Sequence, residues 1–173
     1  LIKNDKKDEA KAILSQLQKL DSNLEKQVKT IVTQHLDGED LGAFRGGMNV
    51  LGIKTVVVVD NDSSVQNELM QILLEMGIED THVFSDGKAA FDFVESNGAP
   101  DLIIQEWKIP KVTGPLLVQR FHELCPASPI VVYSSLLDKN DSPFIREMGV
   151  ATVLRKPTAK NDIVKSLMWT IQQ

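Results

Sequence analysis

The chain has 173 residues, a net charge of −5 and 42% hydrophobic residues, enough for one ordinary domain with its own core and an appendage. No apolar run approaches the ~18 residues needed to span a bilayer, and no signal-peptide pattern opens the chain, so membrane insertion is not expected. Residues 1–52 hold eight basic and eight acidic side chains and residues 53–173 hold eleven and sixteen, which leaves no basic stripe for direct nucleic-acid binding.

The chain opens at Leu1 without an initiator Met, so a piece of a longer protein is expected. Ala10, Ile13, Leu14, Leu17 and Leu20 fall on one helix face. Asp21-Ser22-Asn23 supplies turn and N-cap chemistry, and Leu24, Val28, Ile31, Val32 and Leu36 form a second stripe. Residues 1–37 therefore read as a helical hairpin too small to cover its own apolar face, and pairing with a second copy, as a homodimer, or with a segment upstream of Leu1 is expected. Residues 38–52, with four glycines between Gly42 and Gly52, read as a linker.

From residue 53 onward β-branched runs alternate with amphipathic stretches. Strands are predicted over 54–59, 81–84, 101–105, 129–133 and 151–155. Helices are predicted over 64–76, 87–96, 115–124, 142–148 and 159–171, with Pro115 at a first helical position. Short strands of this kind are buried on both faces of a parallel sheet. Five β–α units imply a doubly wound α/β fold over residues 53–173. Cys125, the only cysteine, excludes an internal disulfide and suits a reducing cytoplasm; it reads as a packed thiol. Trp169, in a helix with Ile163, Leu167 and Ile171, is expected to face the core. His35, His82 and His122 show no metal-ligand spacing.

Four of the strands end on polar residues: Asp60-Asn61-Asp62, Glu106, Ser134-Ser135 and Lys156-Pro157. Ligands of parallel sheets collect at the carboxyl ends of the strands, so these endpoints are expected to share one pocket. Adjacent carboxylates suit Mg²⁺. A carboxylate on a neighbouring strand is a third ligand or a nucleophile toward phosphorus, and a hydroxyl with an ammonium clamps phosphoryl oxygens. Lys156-Pro157 is a candidate cis bond.

These motifs, VVVVDND (56–62), DLIIQEWKIPKVTG (101–114), PIVVYSS (129–135) and VLRKP (153–157), make residues 53–173 resemble a response-regulator receiver domain of two-component signalling. The resemblance implies a flavodoxin-like five-stranded sheet, a cytoplasmic signalling module rather than an enzyme, and signalling proteins as partners. It puts the acidic pair at Asp60-Asn61 and the phosphoacceptor at Glu106. It assigns the hydroxyl and the lysine of the phosphate pocket to Ser134 and Lys156.

Three residues depart from the family pattern. Glu106 stands where an Asp is phosphorylated, and its extra methylene displaces the carboxylate by about 1.5 Å, enough to cost orders of magnitude in a reaction that needs in-line approach. Asn61 removes a charge from the metal site, so Mg²⁺ binding through Asp60, Asn61 and Glu106 is expected to be weak or absent. Val153 replaces a frequent aromatic switch residue. A pseudo-receiver that is not phosphorylated is therefore expected, with an ordinary phosphorylatable regulator as the alternative. Glu106 either pairs with Lys156 in place of a phosphoryl group or is a remnant in an inert scaffold. A further alternative is a haloacid-dehalogenase-type phosphatase with Asp60-Asn61-Asp62 as its first motif, which leaves residues 101–114 without a role.

Overall fold

The computed structural model describes residues 52–135, 137 and 141–173. The hairpin expected over 1–37, the dimer attributed to it and all of the linker but Gly52 lie outside the described residues. Chain order is β1 (Thr55–Val59), α1 (Ser63–Glu75), β2 (Asp80–Phe84), α2 (Gly87–Asn97), β3 (Leu102–Gln105), α3 (Gly114–Leu124), β4 (Ile130–Ser134), α4 (Asp141–Glu147), β5 (Thr152–Arg155) and α5 (Lys160–Ile171). All neighbouring strands are parallel, in the order β2-β1-β3-β4-β5. The doubly wound α/β sandwich read from the alternation is the fold observed.

The period of two along each strand builds two cores. Val57, Val59, Ile103, Ile130 and Val132 pack with Ala90, Val94, Leu117, Val118 and Phe121 of α2 and α3. Val56, Val58, Leu102, Ile104, Val131 and Tyr133 pack with Leu69, Ile72 and Leu73 of α1 and Ile163, Val164 and Leu167 of α5. Val56 to Val59 have no exposed surface, and burying each contributes about 1.5–3 kcal/mol. A strand polar on one face would leave one of these helix layers without a floor.

Helix starts follow local chemistry. Asp62 caps α1 by accepting from the Ser64 amide at 2.8 Å, and Asp86 caps α2 by accepting from the Ala89 amide at 2.9 Å. Pro115 enters α3 in its first turn, where its missing N–H leaves no helical bond unmade.

Trp169 corrects the sequence reading: it is 54% exposed. The buried stripe of α5 is Ile163, Val164, Leu167 and Met168, spaced i, i+1, i+4 and i+5. Position 169 follows that stripe by one more turn of about 100° and points away from the sheet. Cys125 is buried, as expected of a packed thiol, and burial pushes its pKa up.

Candidate functional site

Connections from β1 lead to β2 on one side, while β3 lies on the other. The strand order therefore reverses between β1 and β3, and a crevice opens beyond their carboxyl ends. Asp60 and Glu106 stand at that point. The Glu106 amide donates to the Val59 carbonyl at 2.8 Å and the Asp60 amide to the Phe84 carbonyl at 3.0 Å, so the ladder itself sets where both carboxylates start. The Lys156 amide donates to the Ser134 carbonyl at 2.9 Å, which places the ends of β4 and β5 beside them. The Lys156–Pro157 peptide bond is cis.

All four expected side chains meet. Lys156 Nζ donates to Glu106 Oε2 at 2.8 Å and to Asp60 Oδ2 at 2.5 Å. Ser134, wholly buried at the end of β4, is among the groups that pull the Glu106 pKa down. Glu106 Oε1 accepts from the backbone amides of Trp107 at 2.7 Å and Lys108 at 3.2 Å. Asp60 Oδ1 accepts from the Asp62 amide at 2.9 Å. Lys156 Nζ also lies 5.3 Å from the Tyr133 ring centroid, a cation over an aromatic face.

The site is nearly dry, the Lys156, Glu106 and Asp60 side chains being 11%, 7% and 3% exposed. A lone ammonium would be costly here, and two charge-assisted contacts offset its desolvation. Burial pulls the Lys156 pKa down, but bonding to Asp60 and Glu106 outweighs it and holds the pKa above the ordinary lysine value. Burial pushes Glu106 up, but Lys156, Ser134 and the Lys108 amide hold it below the usual carboxylate range. At Asp60 burial prevails over the Lys156 contact and raises the pKa.

The cleft above these groups, about 470 Å³, is lined by Asp60, Asn61, Asp62, Val65, Glu106, Lys108, Ser135, Lys156 and Pro157. The donor set is arranged around the Lys156 ammonium. One oxygen of each carboxylate is turned to Lys156 and the other holds backbone amides. Asn61 adds no charge, and a hard divalent ion needs several free anionic oxygens converging on one point. Among the described residues no three His, Cys, Asp or Glu converge in that way.

Trp107 is 7% exposed and belongs to the core beside Ile109, its ring edge-on to Phe144 of α4 at 6.3 Å between centroids. Lys111, at φ 68°, bridges to Asp86 at 2.8 Å and ties this loop to the start of α2. Sequence reasoning missed one contact, Asp60 with Lys156. The acid pair was read as metal ligands, whereas the parallel pairing of β1 with β3 and β3 with β4 brings the β5 lysine within reach of β1. His82 sits against Asp80 at 2.8 Å, outside the site.

Residues 56–168 match the response regulator receiver domain family. The chain is 24% identical over 116 residues to the transcriptional regulatory protein PdtaR of Mycobacterium tuberculosis, covering 66% of this chain and 55% of that protein. It is 32% identical over 108 residues to the autoinducer 1 sensor kinase/phosphatase LuxN of Vibrio campbellii, covering 62% of this chain and 12% of the relative. The chain thus spans about half the length of the first relative and a small part of the second. A CheY-like receiver domain from Methanospirillum hungatei superposes with a TM-score of 0.64 at 20% identity, over 69% of this chain and 94% of that one, which is a likeness of fold. Among the described residues no helix is long and apolar enough to cross a membrane.

Proposed function

The chain belongs to the response regulator receiver domain family of two-component signalling, and from that premise we propose that it is a pseudo-receiver in which Glu106 takes the place of a phosphorylated aspartate. One observation carries the reading: the Glu106 carboxylate accepts from Lys156 at 2.8 Å, the ammonium that would otherwise hold the oxygens of a transferred phosphoryl group. The longer side chain delivers a fixed negative charge to that position. It also withdraws the nucleophile, because both carboxylate oxygens are engaged and the extra methylene shifts them from in-line approach to phosphorus. With Mg²⁺ binding weak or absent, the domain works without a metal, through protein–protein contacts in a state its own side chain selects. The inert-scaffold reading requires Glu106 to be free of these partners, and the geometry favours mimicry over it.

Intact-mass analysis after incubation with acetyl phosphate and Mg²⁺ tests the proposal. No phosphoryl adduct is expected. An adduct mapped to Glu106 would restore the ordinary phosphorylatable regulator.

A further inference from the structure

Gln105 is 1% exposed and ends β3 beside the site. It follows Ile103 by two positions and so shares the face of β3 that packs on α2 and α3. Its Nε2 donates to the Gly114 carbonyl at 3.3 Å, while its Oε1 meets no hydrogen-bond partner among the described residues. An unpaired buried acceptor is costly, and a methionine or leucine would fill the same space without one. Stability therefore does not account for the amide, and its contact with Gly114 is what remains.

Gly114 opens α3 and presses on the Trp107 peptide: an added Cβ would lie 2.3 Å from the Trp107 carbonyl oxygen and 3.0 Å from the carbonyl carbon. That carbonyl and the Lys108 N–H belong to one planar peptide unit and point in opposite directions. Fixing the carbonyl on one side fixes the N–H on the other, and this N–H donates to Glu106 Oε1 at 3.2 Å. The outer turn of the loop is held separately. Lys111 bridges to Asp86 at 2.8 Å and the Gly87 amide donates to the Pro110 carbonyl at 3.5 Å, ties that act on residues 110 and 111 rather than on the 107–108 peptide.

We propose that Gln105 is a positioning residue: through Gly114 it holds the Trp107–Lys108 peptide so that the Lys108 amide bonds the Glu106 carboxylate and keeps it turned to Lys156. The inference rests on the reading of Glu106 as a phosphoryl stand-in and adds what keeps that carboxylate aimed.

The test is nuclear magnetic resonance on the full chain and on Gln105→Met, following hydrogen exchange at the Lys108 amide and titration of the Glu106 carboxyl carbon. In the variant the Lys108 amide is expected to exchange roughly tenfold faster, while the Val58 and Val131 amides in the sheet do not. The Glu106 titration should move up, since the Lys108 amide is among the groups that lower it. The urea midpoint should hold or rise, which loss of a merely structural clamp would not allow. In the natural chain the Gln105 side-chain amide should itself resist exchange, a measurement that stands even if the variant does not fold. Lys108 exchange and Glu106 titration both unmoved in Gln105→Met, whatever the midpoint, would overturn the proposal, as would a freely exchanging Gln105 side-chain amide. The reading of Glu106 fails differently: its carboxyl would then titrate in the ordinary glutamate range in the natural chain, whatever Gln105 does to the Lys108 amide.

Discussion

Glu106 and Asp60 share one ammonium yet are displaced in opposite directions, Glu106 downward and Asp60 upward. That difference has a pH signature. A depressed carboxylate stabilises the fold above its unfolded pKa, near 4.3, and the contribution is lost as pH falls through the folded value. A raised carboxyl works the other way, because the folded state binds the proton more readily and stability grows as pH falls. Asp60→Asn should therefore steepen the acid limb of stability between about pH 6 and 3, and Glu106→Gln should flatten it relative to Asp60→Asn. Urea denaturation across that range checks the order, and equal acid limbs would contradict the assignment of the two carboxylates. The metal argument belongs to the same residues. Shortening the side chain in Glu106→Asp withdraws it from Lys156, and Asn61→Asp adds an anionic ligand. The double variant should bind Mg²⁺ and report it through Trp107 emission where the natural chain does not. Silence in the double variant would show that more than these two positions separates this site from a metal site.

At the scale of elements, the loop from Glu106 to α3 carries Trp107 and Ile109 into the core beside the site. Gly114 is there because a Cβ would fall 2.3 Å from the Trp107 carbonyl oxygen and 2.7 Å from its ring. Backbone cannot yield as a flexible side chain does, so Gly114→Ala should destabilise the domain by about 1–3 kcal/mol and shift Trp107 emission to the red as the buried indole is pushed towards solvent. Unchanged urea midpoint and emission would mean the loop repacks freely. The elements were legible because strand and helix periods differ and the polar strand ends interrupt both. All ten elements of the described residues fall where the alternation placed them, with boundaries moved by a residue. Trp169 was not legible, because its size suggested the core while its position, one step beyond the buried stripe, decided otherwise. The packing of Trp107 on Phe144 was not legible either, since no local pattern connects the end of β3 with α4.

Across the whole molecule, the site was readable because a parallel sheet brings every strand's carboxyl end to one edge. Glu106, Ser134 and Lys156 could be assembled from spacing and resemblance alone. The contact of Asp60 with Lys156 could not, since a carboxylate ending a strand serves a metal or an ammonium equally well and no local pattern links the ends of β1 and β5. The proposed receiver, its state set by its own side chain, depends on one contact across 50 residues of sequence. A double-mutant cycle of Glu106→Gln and Lys156→Met, read as stability in urea, tests that contact most directly. With the pair nearly dry, each single change should cost on the order of 1–3 kcal/mol and the double change clearly less than the sum. Additive losses within error would contradict it, placing Glu106 outside the phosphoryl position and the domain among inert scaffolds.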